Sequence, residues 1–177
     1  MGIPTLISTA TPSNASSVDI TSGIDSTYDE YMFVFTDIGP ATDDTSFLFQ
    51  VNAAGESGYN ERIHSTNFKA THTEAASSAL AHATADLLNN HTGNVTMAVN
   101  IGNGGDESVA GILHLFRPSD TTYVKHYYST TSGYNKDSGA ANYFVAGYIN
   151  VTAAIDEITF KMSSGNLDGV VQMYGIA

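Results

Sequence analysis

Residues 31–38 read YMFVFTDI, and this stretch decides the fold class. Tyr31, Phe33 and Phe35 alternate with Met32, Val34 and Thr36, so an extended chain gathers the three rings on one face. Helical spacing would scatter them around a cylinder. Aromatic and β-branched residues also suit a pleated, half-buried surface. The pattern recurs along the chain. "SFLFQV" (46–51) places Phe47, Phe49 and Val51 together, and "GILHLFRP" (111–118) sets Leu113 and Leu115 against Ile112, His114 and Phe116. "TYVKHYYST", "NYFVAGYINV", "AIDEITFKMS" and "GVVQMYGIA" continue it, and "TLIS", "SSVDIT", "ERIHSTNF" and "NVTMAVNIG" are weaker versions. Roughly nine to eleven short strands with turn signals between them predict an all-β chain, an antiparallel β-sandwich of jelly-roll type.

Two corners support the jelly roll. "GPATDDTSFLF" and "RPSDTTYVKHYY" each place Pro, then Asp and Thr, between strands. Proline cannot donate to a ladder, so Pro40 and Pro118 are expected to end their strands, as a double Greek key requires. The predicted core comprises Phe33, Phe35, Phe47, Phe49, Leu113, Leu115, Phe144, Ile158, Phe160 and Met173. One stretch dissents: "TEAASSALAHATADLLNN" (73–90) is Ala-rich, with Thr71 three residues before Glu74 as in a capping box. It predicts the one short helix, over residues 74–88. "SGNLDGVVQMYGIA" (164–177) reads as the second half of a hairpin that turns at Asn166–Gly169, with positive φ expected at Gly169 and Asn166.

The 177 residues suit one domain. Residues 1–15 are too poor in apolar side chains for a core of their own, so they read as an N-terminal arm ahead of a sandwich over 16–177. Ile3, Leu6 and Ile7 are its candidate assembly contacts.

Composition excludes several functions. With 6 Lys+Arg against 18 Asp+Glu the formal charge is −12, which opposes nucleic acid and anionic membranes alike. No apolar run approaches the ~20 residues of a membrane span. "MGIPTLISTA" lacks the basic and apolar regions of a secretory leader. Cysteine is absent, so thiolate chemistry and Cys-based zinc sites are out of reach.

Catalytic motifs are missing too: there is no G-x-S-x-G, P-loop, H-E-x-x-H or dinucleotide fingerprint. The acidic doublets Asp29/Glu30, Asp43/Asp44, Asp106/Glu107 and Asp156/Glu157 are sequence neighbours, which point to opposite faces of a strand and make no facing dyad. No enzyme is expected and no cofactor. Calcium is the one alternative, because "GNGGDES" (102–108) and "DIGPATDD" (37–44) offer oxygen ligands in turn-forming segments. His72, His82 and His91 are spaced by ten and nine residues, which fits no compact metal motif. Ten Tyr and no Trp make tyrosine the enriched recognition residue. In "HYYSTTSGYNKD" (126–137), Tyr127, Tyr128 and Tyr134 are the candidates for an interface or a glycan contact.

Three blocks carry a resemblance: "TSGIDSTYDEYMFVFTDIGPATDDTSFLFQVN", "HLFRPSDTTYVKHYY" and "FKMSSGNLDGVVQMYGI". They are similar to blocks, in the same order, of short proteins encoded by marine tailed bacteriophages. The resemblance runs from about residue 16 to the chain end and is weakest over 55–107. It implies a virion structural protein and brings no catalytic residue with it. The expectation is a non-enzymatic component of the phage particle, a head decoration or cement subunit. Its partners would be the major capsid or tail protein and copies of itself, with a trimer favoured. The alternative is a tail-associated, lectin-like receptor-binding module.

Overall fold

A computed structural model describes residues 2–82 and 87–177. These residues form twelve strands: β1 Thr5–Ala10, β2 Val18–Ile20, β3 Glu30–Pro40, β4 Thr45–Ala53, β5 Ile63–Thr73, β6 Ser78–Ala81, β7 Val95–Ile101, β8 Val109–Phe116, β9 Lys125–Asn135, β10 Gly139–Ile149, β11 Ile155–Met162 and β12 Leu167–Ile176. Every pairing is antiparallel, and no helix occurs among the described residues.

The pairings resolve into a jelly roll. One sheet runs β1-β12-β3-β8 and the other β2-β11-β4-β7. Strands cross between sheets in nested order, with β1 against β12, β2 against β11, and β3 and β4 beside those same partners. This is the two-Greek-key sandwich that the proline corners predict. Two further pairs, β5–β6 between β4 and β7 and β9–β10 between β8 and β11, extend the first sheet as β9-β10-β5-β6. A single register pair, Ile101 opposite Asn135, joins β7 to β9 and nearly closes the two sheets into a barrel.

The alternation of YMFVFTDI is realised in β3, where Tyr31, Phe33 and Phe35 are buried and Met32 and Val34 only half-buried. Their rings meet those of the facing sheet: Phe35 lies 5.1 Å from Phe47 and 5.0 Å from Phe160, and Phe33 lies 5.5 Å from Phe160. Each such pair adds about 0.5–1.5 kcal/mol beyond area burial. Nine of the ten predicted core residues are buried. The exception is Phe144, which sits on the outer face of β10 and stacks on Phe68 at 4.6 Å. Both faces of that strand are apolar, and Tyr143, Val145 and Ile149 take the inner one.

Three other expectations are corrected. The segment expected to be helical turns at residues 74–77 and becomes β6, where Ala79 lies opposite Thr71; residues 83–86 lie outside the described residues. Thr73 Oγ1 accepts the Ser77 N–H at 3.2 Å, closing a hairpin where a helix cap was expected. Alanine favours a helix, but this run has no continuous apolar stripe to bury, and pairing with β5 satisfies its backbone.

The closing hairpin does not form either. β11 pairs with β4 and β2, whereas β12 pairs with β3 and β1, so residues 163–166 cross between sheets. Positive φ falls on Gly165 (73°) and Gly169 (128°) but not on Asn166. Gly169 occupies a bulge in β12, where a Cβ would lie 2.6 Å from the Asp37 carbonyl oxygen. The positive φ expected there is present, for a reason other than a turn.

Residues 1–15 do not stand apart from the sandwich. β1 is the edge strand beside β12, and Ala15 exchanges backbone hydrogen bonds with Leu167 at 3.0 and 2.8 Å. Backbone pairing supplies the anchorage that the sparse apolar content cannot.

Candidate functional site

The sequence-predicted tyrosines all lie on β9, and the strand's two-residue period separates them. Lys125, Tyr127, Ser129 and Thr131 point inward; His126, Tyr128, Thr130 and Ser132 point outward. Tyr127 is buried, packed edge-on against Phe49 at 5.1 Å, and burial pushes its hydroxyl pKa up. It is a core residue and leaves the set of contact candidates. Tyr128 is 42% exposed. Tyr134 is half-buried and lines an open cleft of about 580 Å³ with Ala110, Ser132 and Ala140 on its floor and His72 and Glu74 among its lining.

Tyr128 is the centre of an aromatic face. It lies opposite His114 on β8 and Ala146 on β10, and its ring stacks on the His114 imidazole at 4.5 Å. Phe116 adds a ring at 5.8 Å. Across β10 and β5, Phe144 stacks on Phe68, and His64 stacks on Tyr148 at 5.4 Å. Glu30 reaches this face from β3, where its carboxylate meets His114 Nδ1. Between Tyr128 and the Phe68–Phe144 stack lies a notch of about 220 Å³, floored by Ala146 and bordered by Thr66 and Thr130.

The expectations drawn from the tyrosine-rich segment therefore found one edge of this face. The residues that complete it, Thr66, Phe68, Phe144 and Ala146, come from β5 and β10. The signal was present in "NYFVAGYINV", whose aromatic residues occupy both faces with Ala146 between Phe144 and Tyr148. A sandwich core needs only one of those faces.

The candidate arm residues have different fates. Ile3 is 89% exposed and Leu6 is 51% exposed, whereas Ile7 is half-buried and packs against the core. Ile7 lies at a bulge in the β1–β12 pairing.

The two segments considered for calcium meet in the fold. Asp37 and Gly39 line a cleft of about 540 Å³ together with Asp106, Glu107 and Asp168. The Glu107 carboxylate, however, accepts the Gly104 N–H at 2.6 Å. Among the described residues, no three acidic or histidine side chains are grouped to hold a metal ion.

Two buried or constrained charges serve the architecture. Lys125 is almost fully buried, and its Nζ donates to the carbonyls of Val151, Thr152 and Ala153 at 3.2, 2.9 and 2.5 Å. Burial pulls its pKa down, opposed by the carboxylates of Asp120 and Glu61. Asp120 accepts the backbone N–H groups of Tyr123 and Thr122, which hold its carboxyl below the ordinary range. Tyr59 is raised to about 12, first by burial and then by Glu157.

No model of a known protein family matches this chain, and no curated protein matches it.

Proposed function

We propose that this chain is a non-enzymatic structural protein of a tailed-phage particle, placed on the head as a decoration or cement subunit. The observation that carries the reading is where the phage-like blocks fall on the jelly roll. "YMFVFTDIGPATDDTSFLFQVN" covers β3, the crossing and β4; "FKMSSGNLDGVVQMYGI" covers the end of β11, the crossing and β12. The resembling residues thus build two of the frame's sheet-to-sheet crossings, and the weakly resembling 55–107 span contains β5 and β6, outside the frame, with β7 the one frame strand in it. Jelly rolls serve capsid and lectin domains alike, so the fold suits the reading without selecting it. Exposed Leu6 on the edge strand and Ile3 just ahead of it offer an apolar contact for a neighbouring subunit or the shell. The assembly proposed is a homo-oligomer, a trimer, since closed symmetry is the norm for such components.

The test is electron microscopy of intact particles with and without this protein, joined to light scattering of the purified chain. Added density over the head lattice and a trimer mass are the expected results. Density at the tail would replace decoration by the receptor-binding alternative, and absence from purified particles would overturn both placements.

A further inference from the structure

The outer face of β10 presents Phe144, Ala146 and Tyr148 in succession, a small residue between two rings. Ala146 pairs with Tyr128 on one side and Thr66 on the other, so the methyl group forms the floor of the 220 Å³ notch. Tyr128, 42% exposed, and Phe68, 48% exposed, keep ring surface available on either side. The hydroxyls of Thr66, Tyr128 and Thr130 have no hydrogen-bond partner among the described residues.

Charge and shape narrow the occupant. Among the described residues no Lys, Arg, Asp or Glu lines the notch, and the chain as a whole carries −12. Phosphorylated or sialylated ligands would meet repulsion with no cation to offset it. An extended peptide adds to a sheet through unpaired backbone at an edge, but β9, β10 and β5 are paired with one another beneath this notch. A ligand is needed with one apolar face for the rings and hydroxyls around its rim for the threonines. A neutral pyranose has both.

We propose that this notch binds one pyranose ring of a neutral glycan, with Tyr128 and Phe68 stacking against the sugar and Thr66 and Thr130 exchanging hydrogen bonds with its hydroxyls. The site does not depend on whether the chain decorates a head or a tail. It excludes the buried Tyr127 from contact.

The test is a nuclear magnetic resonance titration of the full chain with glucose, galactose, mannose and N-acetylglucosamine, and with sialyllactose as an anionic control. At least one neutral sugar should shift Thr66, Tyr128, Thr130 and Ala146 saturably, with a Kd in the millimolar range. Tyr128→Ala should weaken that binding about tenfold, the equivalent of ~1.4 kcal/mol. Tyr128→Phe should keep it, and Ala146→Leu, which fills the floor, should abolish it with the circular dichroism spectrum unchanged. Should Ala146→Leu perturb folding, the Tyr128→Ala and Tyr128→Phe pair decides alone. Silence toward all four neutral sugars overturns the proposal. So does sugar binding that survives Tyr128→Ala intact, or movement of the same resonances on simple dilution, which would mark the face as a contact between copies.

Discussion

The eight-stranded frame and the four strands inserted into it are stabilised in different ways. In the frame, Phe33, Phe35, Phe47 and Phe160 fill the space between two sheets, and burial does most of the work. Beneath the insertion the inner residues include Ser65, Asn67, Ser129, Thr131 and Asn135, all buried. There hydroxyls and amides join the buried rings of Tyr127 and Tyr143. Thr131 donates to the Met97 carbonyl at 2.8 Å and Tyr143 to the Val99 carbonyl at 2.7 Å, both on β7. β7 is the border strand of the smaller sheet, joined to β9 through only one register pair. Side chains from the insertion therefore satisfy carbonyls along the border that a neighbouring strand would otherwise take. Packing tolerates small shifts, but such hydrogen bonds fix position, so the insertion is held in one register with its outer face presented.

That contrast can be broken by experiment. Phe160→Ala should produce the largest effect, a loss of about 3–5 kcal/mol in chemical denaturation, because the ring contacts Phe33 and Phe35 across the sheets and Phe47 within its own. A loss under about 1 kcal/mol would refute a frame held by burial. Lys125→Met should cost about 1–3 kcal/mol by stripping three carbonyls of one donor. Hydrogen exchange in residues 150–154 should quicken ahead of the frame, and uniform quickening would argue against a local clamp. Thr131→Val keeps the shape and removes one hydrogen bond, so about 1 kcal/mol is expected. If the variant is as stable as the parent, the insertion too is held by packing.

The smallest effect concerns the corner leading from the frame into β9. The Asp120 carboxyl is held below its ordinary value of 3.8, first by the Tyr123 N–H and then by that of Thr122. Its folded pKa is lower than its unfolded one, so its contribution is present above the unfolded value and disappears as pH falls through the folded value. Carboxyl chemical shifts should show a midpoint under 3.8, and the 117–124 corner should loosen only in that acidic window. A midpoint at or above 3.8 would remove Asp120 as the corner's fastener.

What the sequence revealed follows from what periodicity measures. Alternation specifies which residues share a face, and in β3, β4 and β11 one face is so much more apolar that burial follows. In β10 both faces carry rings, and Phe144 was assigned inward although Tyr143 and Val145 take that side. Alternation says nothing about partners. "ITFKMSSGNLDGVV" has the look of a hairpin, yet its strands belong to different sheets, because their partners β4 and β3 lie more than a hundred residues earlier. The Ala-rich run misled for another reason: intrinsic preference is weak beside a sheet edge that can accept four more residues. Of the candidate contact residues, Tyr128 and Tyr134 were legible from "HYYSTTSGY". Phe68, Thr66 and Ala146 were not, since only the β5–β10–β9 register brings them to Tyr128.

The position of β12 between β1 and β3 also governs when the molecule can exist. Thr5 lies opposite Gly175, and β3 lies on β12's other side. During synthesis β1 and β3 emerge early, but the slot between them stays vacant until residue 176 has left the ribosome. At roughly 5–20 residues per second that interval is on the order of ten seconds. The β8–β9–β10 meander can form meanwhile from neighbouring residues. β1 must wait with unpaired backbone and β3 with the edge that β12 will take, and Phe33 and Phe35 wait for the ring of Phe160. Folding of the frame is therefore a late closure event, slow because its outermost contacts are so distant in the chain. During that delay the slot has the register to accept any β12 segment, including one from another copy.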